Sequence, residues 1–168
     1  MLEVRLFFDV PAPRSISARA LLEYSRRCIG FLEIKHSVNI VITGARLIKK
    51  LNKRFLGKNS VTDVITFEAG RPAGAPASEK ERLSEIYVCL PEAKFSSRRL
   101  GHGVVRELML LIAHGLLHLK GMNDDSASCA RKMLLAGENL ADRFATFCLA
   151  EGRPLVPSAT KTGFLRDK

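Results

Sequence analysis

VVRELMLLIAHGLLHLKGMNDD, residues 104–125, reads as an apolar helix that ends at a glycine and runs straight into acidic residues. His114 and His118 are four apart. On a helix of about 3.6 residues per turn they lie one above the other, with both imidazoles aimed at one point. Gly121 follows three residues after His118, where a sharply turning helix end favours a residue free to take positive φ. The chain can then fold back and bring Asp124, with Asp125 as the alternative, over the two histidines. Two imidazoles, one carboxylate and an open fourth position make the donor set of a catalytic rather than a structural zinc site. A histidine on an apolar helix is ordinarily a core or surface residue, but two of the chain's four histidines share this spacing, with Gly and Asp at the matching distances. Leu108, Leu111, Ile112, Leu116 and Leu119 form the stripe that would hold the helix in the core.

Upstream, Val4, Leu6, Phe8 and Val10 alternate with Glu3, Arg5, Phe7 and Asp9, the period of a strand with one buried face. Pro11 and Pro13 end it. Ser17 can cap a helix whose Leu21, Leu22, Ser25, Cys28 and Ile29 share a face, with Gly30 as its stop. Residues 38–43 are a β-branched strand that runs into Gly44; Leu47, Ile48, Leu51 and Phe55 then mark a second amphipathic helix. Strand, helix, strand implies parallel pairing through a right-handed crossover. A third strand is expected over 61–67, a polar, turn-rich surface loop over 70–82 and a fourth strand over 83–90. With no helical pattern between those two strands, the fourth should run antiparallel to one of the others.

Pro91 suits the first turn of a short helix over 92–99, and Gly101 to Gly103 breaks it before the histidine helix. A last helix from about Asp125 or Ser126 should turn Met133, Leu134, Leu140, Ala141, Phe144 and Cys148 inward. The order is βαβαββααα: an α+β fold with a mixed four-stranded sheet, about five helices and a zincin-like metal-binding helix. Residues 1–150 read as one domain, with 151–168 a loosely held tail rich in Gly and Pro.

At 168 residues and 46% apolar content the chain fits one domain with a sizeable core. Lys and Arg exceed Asp and Glu by 27 to 17, for a net charge of +10, which favours a polyanionic partner, nucleic acid ahead of a membrane surface. Cys28, Cys89, Cys129 and Cys148 form no C-x-x-C pair and read as reduced thiols. MLEVRLFFDV carries charges where a signal peptide needs an apolar core, and no apolar run is long enough to span a bilayer. The expectation is a cytoplasmic protein without a membrane partner.

HGLLHLKGMND, at 114–124, resembles the motif His-Gly-x-Leu-His-Leu-x-Gly-Tyr-Asp-His of the YbeY family, bacterial metal-dependent endoribonucleases that mature ribosomal RNA. His114, Gly115, Leu117, His118, Leu119 and Gly121 match. Met122 replaces the tyrosine, Asn123 the aspartate and Asp124 the third histidine, a harder and shorter ligand than imidazole. The resemblance continues in LNKRFLGKNSVTDVITF, at 51–67, where Thr62, Asp63, Val64 and Phe67 match and Leu56 stands where the family has an arginine thought to contact the phosphate backbone. SEIYVCLPEA, at 84–93, is similar to the family's Gly-Asp-Ile strand, with Ser84 and Glu85 in place of Gly-Asp. The resemblance spans about residues 38–145. It implies a single-strand-specific endoribonuclease of small-subunit rRNA 3′-end maturation and ribosome quality control. It also implies one Zn2+ held by His114, His118 and Asp124, ribosomal RNA and ribosomal particles as partners, and no small-molecule cofactor.

A divalent ion with an open position lowers the pKa of its water and polarises phosphoryl oxygens, which serves phosphodiester and peptide hydrolysis alike. Zinc peptidases with His-Glu-x-x-His take their base from the glutamate beside the first histidine, and here that residue is Gly115. Glu107, two turns before His114, could stand in as a base or form an exposed pair with a nearby Lys or Arg. Arg54, Lys58 and Arg106 are the candidate RNA contacts, with Lys53, Arg98 and Arg99 beside them, against the alternative of a merely solvated basic face. Thr62 and Asp63 could assist binding or only shape a turn, and His36 and His102 read as ordinary loop residues. Two alternative functions remain: a non-catalytic RNA-binding ribosome-assembly factor with a degraded metal site, and a zinc metallopeptidase.

Overall fold

The chain runs β1 (Val4–Phe8), α1 (Ala18–Phe31), β2 (Ser37–Thr43), α2 (Ala45–Leu56), β3 (Val64–Phe67), β4 (Leu83–Cys89), α3 (Leu90–Leu100), α4 (Val104–Leu119) and α5 (Ala127–Leu149) in a computed structural model. The structure describes residues 3–68 and 83–149, so the expected loop over 70–82 and tail over 151–168 lie outside the described residues. The element order and the mixed four-stranded sheet are those expected from the sequence.

Sheet order is β1-β2-β4-β3. β1 pairs parallel with β2, Val4 opposite Val38, and β2 parallel with β4, Ile40 opposite Ile86. β3 closes the sheet antiparallel to β4, Ile65 opposite Tyr87, and is an edge strand. Because side chains alternate faces, Val38, Ile40, Ile42, Ile86 and Val88 meet α1, α4 and α5 in one core, while Ile65 and Cys89 meet Ile48 of α2 in a smaller one on the other face. Within the larger core the Tyr24 hydroxyl donates to the Met109 carbonyl at 3.0 Å and ties α1 to α4.

The Ser17 cap forms as expected, its hydroxyl accepting from the Ala20 amide. Gly30 does not stop α1: the helix runs on to Phe31, and the turn out of it uses Glu33 at φ 53°. In α2 only part of the predicted stripe is covered. Ile48 is buried, but Phe55, one turn past Leu51, reaches only the end of β3 and is 55% exposed. In α5 Met133, Leu140 and Ala141 are buried, Leu134 faces solvent, and the Cys148 side chain lies outside the described residues. Cys28, Cys89 and Cys129 form no disulfide among the described residues, and burial pushes the Cys89 thiol above its ordinary range. Among the described residues no single helix is long and apolar enough to cross a membrane.

Candidate metal centre

The five stripe residues of α4 are all buried, which fixes the rotation of the helix and leaves His114 and His118 on its cleft-facing side. The helix ends in a turn that its sequence dictates. Gly121 takes φ 91°, its amide donates to the His118 carbonyl and the Met122 amide donates to the Leu117 carbonyl, the paired bonds of a Schellman cap. This turn does two things. It sets the Met122 carbonyl 3.1 Å from His118 Nδ1, and it brings Asp124 Oδ2 to 3.8 Å from His114 Nε2.

A carbonyl only accepts, so His118 Nδ1 carries the proton and its Nε2 presents a lone pair. That Nε2 lies 3.1 Å from His114 Nε2. One donor atom from each of His114, His118 and Asp124 lies within 4.8 Å of the others. A tetrahedral ion with bonds of about 2.0–2.1 Å spaces neighbouring donors by roughly 3.3 Å. The donor set and its spacing therefore fit a small divalent ion. Asp125 is exposed and is not part of the cluster.

The cluster lies in a cleft of about 430 Å³ whose other wall is β3 and the chain leading into it: Leu56, Thr62, Asp63, Val64, Ile65, Thr66 and Glu68. Asn52, itself buried, holds this wall by donating through Nδ2 to the Ser60 carbonyl, while its backbone carbonyl accepts from the Lys58 amide. Thr62 and Asp63 do both things the sequence allowed. They line the cleft, and Asp63 Oδ1 also accepts from the Val64 amide and the Thr62 hydroxyl. The cleft-facing roles of Leu56, Thr66 and Glu68 were not read from the sequence. The alternation of β3 carries Val64 and Thr66 to the α4 face, and that was the available signal.

At Gly115 α4 packs directly against β3 and β4. A Cβ there would sit 2.7 Å from Ile86 Cγ2 and 3.0 Å from Thr66 Oγ1, so the position has no room for the glutamate of a peptidase motif.

Several expectations about charged residues are corrected. Glu107 is not an exposed partner of Lys or Arg. It is buried, with Oε2 3.1 Å from His102 Nε2 in a contact that lacks hydrogen-bond alignment, and it does not line the cleft. Burial pushes its carboxyl above the ordinary range, and His102 opposes this. His102 makes this contact from the loop before α4, His36 Nε2 sits 2.9 Å from the Ser84 hydroxyl, and neither belongs to the metal cluster. Arg106 does not join an exposed basic face, because its buried guanidinium donates to Asp142 on α5 at 2.6 Å. Arg54 and Lys58 are exposed, and the Arg54 guanidinium lies 5.2 Å from the centroid of the Phe55 ring.

Burial lowers the pKa of His114 from 6.5, as does His118, while Asp124 and Asp63 oppose them. The imidazole is therefore neutral and ligand-ready at neutral pH. In the unfolded chain it takes a proton near pH 6.5, in the folded state only at lower pH, so the metal-free protein should lose stability as pH falls from about 6.5 toward the folded value. Glu107 acts in the opposite sense, its raised pKa favouring the fold as pH falls toward about 4.5. Urea midpoints at pH 7 and 5.5 for the metal-free protein and His114→Gln isolate the first effect. The variant should show the flatter profile, and parallel profiles would refute the assignment to His114.

A family profile described as Endoribonuclease YbeY matches residues 15–145. The protein named Endoribonuclease YbeY from Elusimicrobium minutum (strain Pei191) is 36% identical over 123 residues, 72% of this chain and 85% of its own. Its namesake from Anaeromyxobacter sp. (strain Fw109-5) is 29% identical over 166 residues, 98% of this chain and 84% of its own. The solution structure of TM1509 from Thermotoga maritima matches with a TM-score of 0.54 at 24% identity, over 85% of this chain and 92% of that one, a likeness of fold.

Proposed function

This chain belongs to the YbeY endoribonuclease family, and on that premise we propose that it is a zinc-dependent hydrolase that cuts single-stranded stretches of ribosomal RNA. Nuclease activity on RNA is the property of the family. Zinc, ribosomal particles as the setting, the 3′ end of small-subunit rRNA as the target and the cytoplasm as the compartment are our reading. The observation that carries it is the convergence of His114, His118 and Asp124 within one cleft.

These three side chains would hold the ion. Nitrogen and carboxylate donors in roughly tetrahedral spacing suit zinc ahead of calcium or magnesium. When bound, the ion supplies Lewis acidity toward a phosphoryl oxygen and activates water. The rest falls to the chain. His118 is held in one tautomer by the Met122 carbonyl, the carboxylates of Asp63 and Asp124 face His114, and Leu56, Val64 and Ile65 add apolar contact to an otherwise polar wall of Thr62, Asp63, Thr66 and Glu68. Cations for the phosphates on either side come from Arg54 and Lys58 at the end of α2.

Neither alternative is favoured. A peptidase lacks room for its base at Gly115, and a degraded site would not keep three donors together. Metal-loaded protein should cleave ribosomal RNA, with chelator abolishing the activity. Metal analysis tests the ligand set: Asp124→Ala should lose the stoichiometric ion and Asp125→Ala should keep it. The reverse pattern would transfer the third position to Asp125.

A further inference from the structure

Phe55 is a large apolar side chain left in water at the end of α2, beside the cleft. Its ring meets Phe67 edge-on at 5.0 Å, and Phe67 meets Tyr87 in the same way at 5.9 Å, so it is propped against the sheet while more than half of its surface stays open. The next residue, Leu56, lines the metal cleft, and Phe67 ends the edge strand that forms the cleft wall. Cleft and ring therefore sit on opposite sides of β3, joined over its edge by two consecutive residues.

The charge along α2 and the loop after it is of one sign, and the carboxylate of Glu85 is taken up by the Tyr87 hydroxyl at the far end of the aromatic row. Between Glu33 and Asp63 the sequence has seven Lys or Arg and no Asp or Glu. Arg54 lies 5.2 Å from the ring centroid, Lys53 and Lys58 are exposed within three residues of Phe55, and Lys49 and Lys50 lie exposed one to two turns earlier on α2. An uncharged apolar partner would have to desolvate these cations without pairing them. A single-stranded polyanion whose bases have open π faces satisfies both the ring and the charges.

We propose that Phe55 is a stacking platform for a nucleobase of the RNA strand leaving the cleft, with Arg54 and Lys53 holding the adjoining phosphates. The proposal rests on RNA being the ligand of the cleft, and it adds a contact several side chains away from the metal donors. It also supplies a reason for a preference for single strands, since a paired base has no face to offer.

The chain has no tryptophan, so Phe55→Trp creates a lone indole fluorophore at the site. The full chain carrying this substitution is titrated with a uridine oligonucleotide of about twelve residues. Indole quenching should saturate at the same midpoint as anisotropy of the labelled RNA. Phe55→Ala should weaken RNA binding about tenfold while leaving binding of inorganic polyphosphate, which has charge but no bases, unchanged. Saturating RNA binding without quenching overturns the proposal, and so does an equal loss of RNA and polyphosphate binding. It also falls if naked RNA leaves the indole untouched and a ribosomal protein quenches it. Wild-type protein that cuts RNA, with an indole that never responds, would sink the platform and spare the nuclease reading. Quenching by RNA that is never cut would do the reverse.

Discussion

His118→Ala should leave a folded protein that no longer retains its ion and no longer cleaves RNA above the level seen with chelator. Nε2 of His118 is one of three donors, and its Nδ1 anchors the turn that carries the third, so the substitution removes one ligand directly and loosens another. Disturbing only a hydrogen-bond partner of a ligand costs about 10–100-fold in affinity or activity, and deleting the ligand should cost more. The metal-free fold should lose only about 1 kcal/mol, the worth of one hydrogen bond, because His118 is half-buried and outside the main core. Metal analysis, thermal melts with and without chelator and an RNA cleavage assay read the three effects separately. Once both are stripped of metal, the variant should melt only about 2–4 °C below the wild type, the shift expected of about 1 kcal/mol. Cleavage that survives both the substitution and the chelator would belong to a contaminating nuclease and leave the enzyme assignment without support.

The second large effect is expected at Gly115. Gly115→Ala gains about 1 kcal/mol of helix propensity but places a Cβ 2.7 Å from Ile86 Cγ2. Ile86 cannot step aside easily. It is fully buried on β4, hydrogen-bonded between β2 and β3, and the clashing methyl sits on a stiff β-branched carbon. Overpacking of this kind costs about 1–3 kcal/mol, so the balance is a net destabilisation of about 0–2 kcal/mol, centred near 1. Gly115→Glu adds a carboxylate with no counter-charge in the apolar seam between helix and sheet. Since domains of this size are stable by only about 5–15 kcal/mol, it should fail to fold or melt far below the wild type. Urea denaturation checks both. A Gly115→Ala midpoint above that of the wild type would show that α4 can lift off the sheet, and would restore the case for a side chain at this position.

What could be read from the sequence depended on how local its cause was. The two histidines, the positive-φ glycine after them, the Ser17 cap and the alternation of β1 are set by residues a few positions apart, and all are present in the structure. Periodicity names a face but not its cover. It placed Phe55 and Leu134 inward with their stripes, yet Phe55 meets only the last residue of β3 and Leu134 is exposed among the described residues. The burial of Glu107 against His102 and of Arg106 against Asp142 depends on how α4 sits against the preceding loop and against α5, which no spacing within α4 reports. The same holds for the far wall of the cleft. Leu56, Asp63 and Thr66 lie about fifty residues before His114, and they reach it only because β3 takes the edge position beside β4.

The Schellman turn after α4 supplies one donor and orients another, while the helix body supplies the remaining imidazole. Occupancy and local order at that corner are therefore one equilibrium. Fraying of the last helical turn is dissociation by another name, and any added free energy of coordination must reappear as slower opening of the amides of Gly121 and Met122.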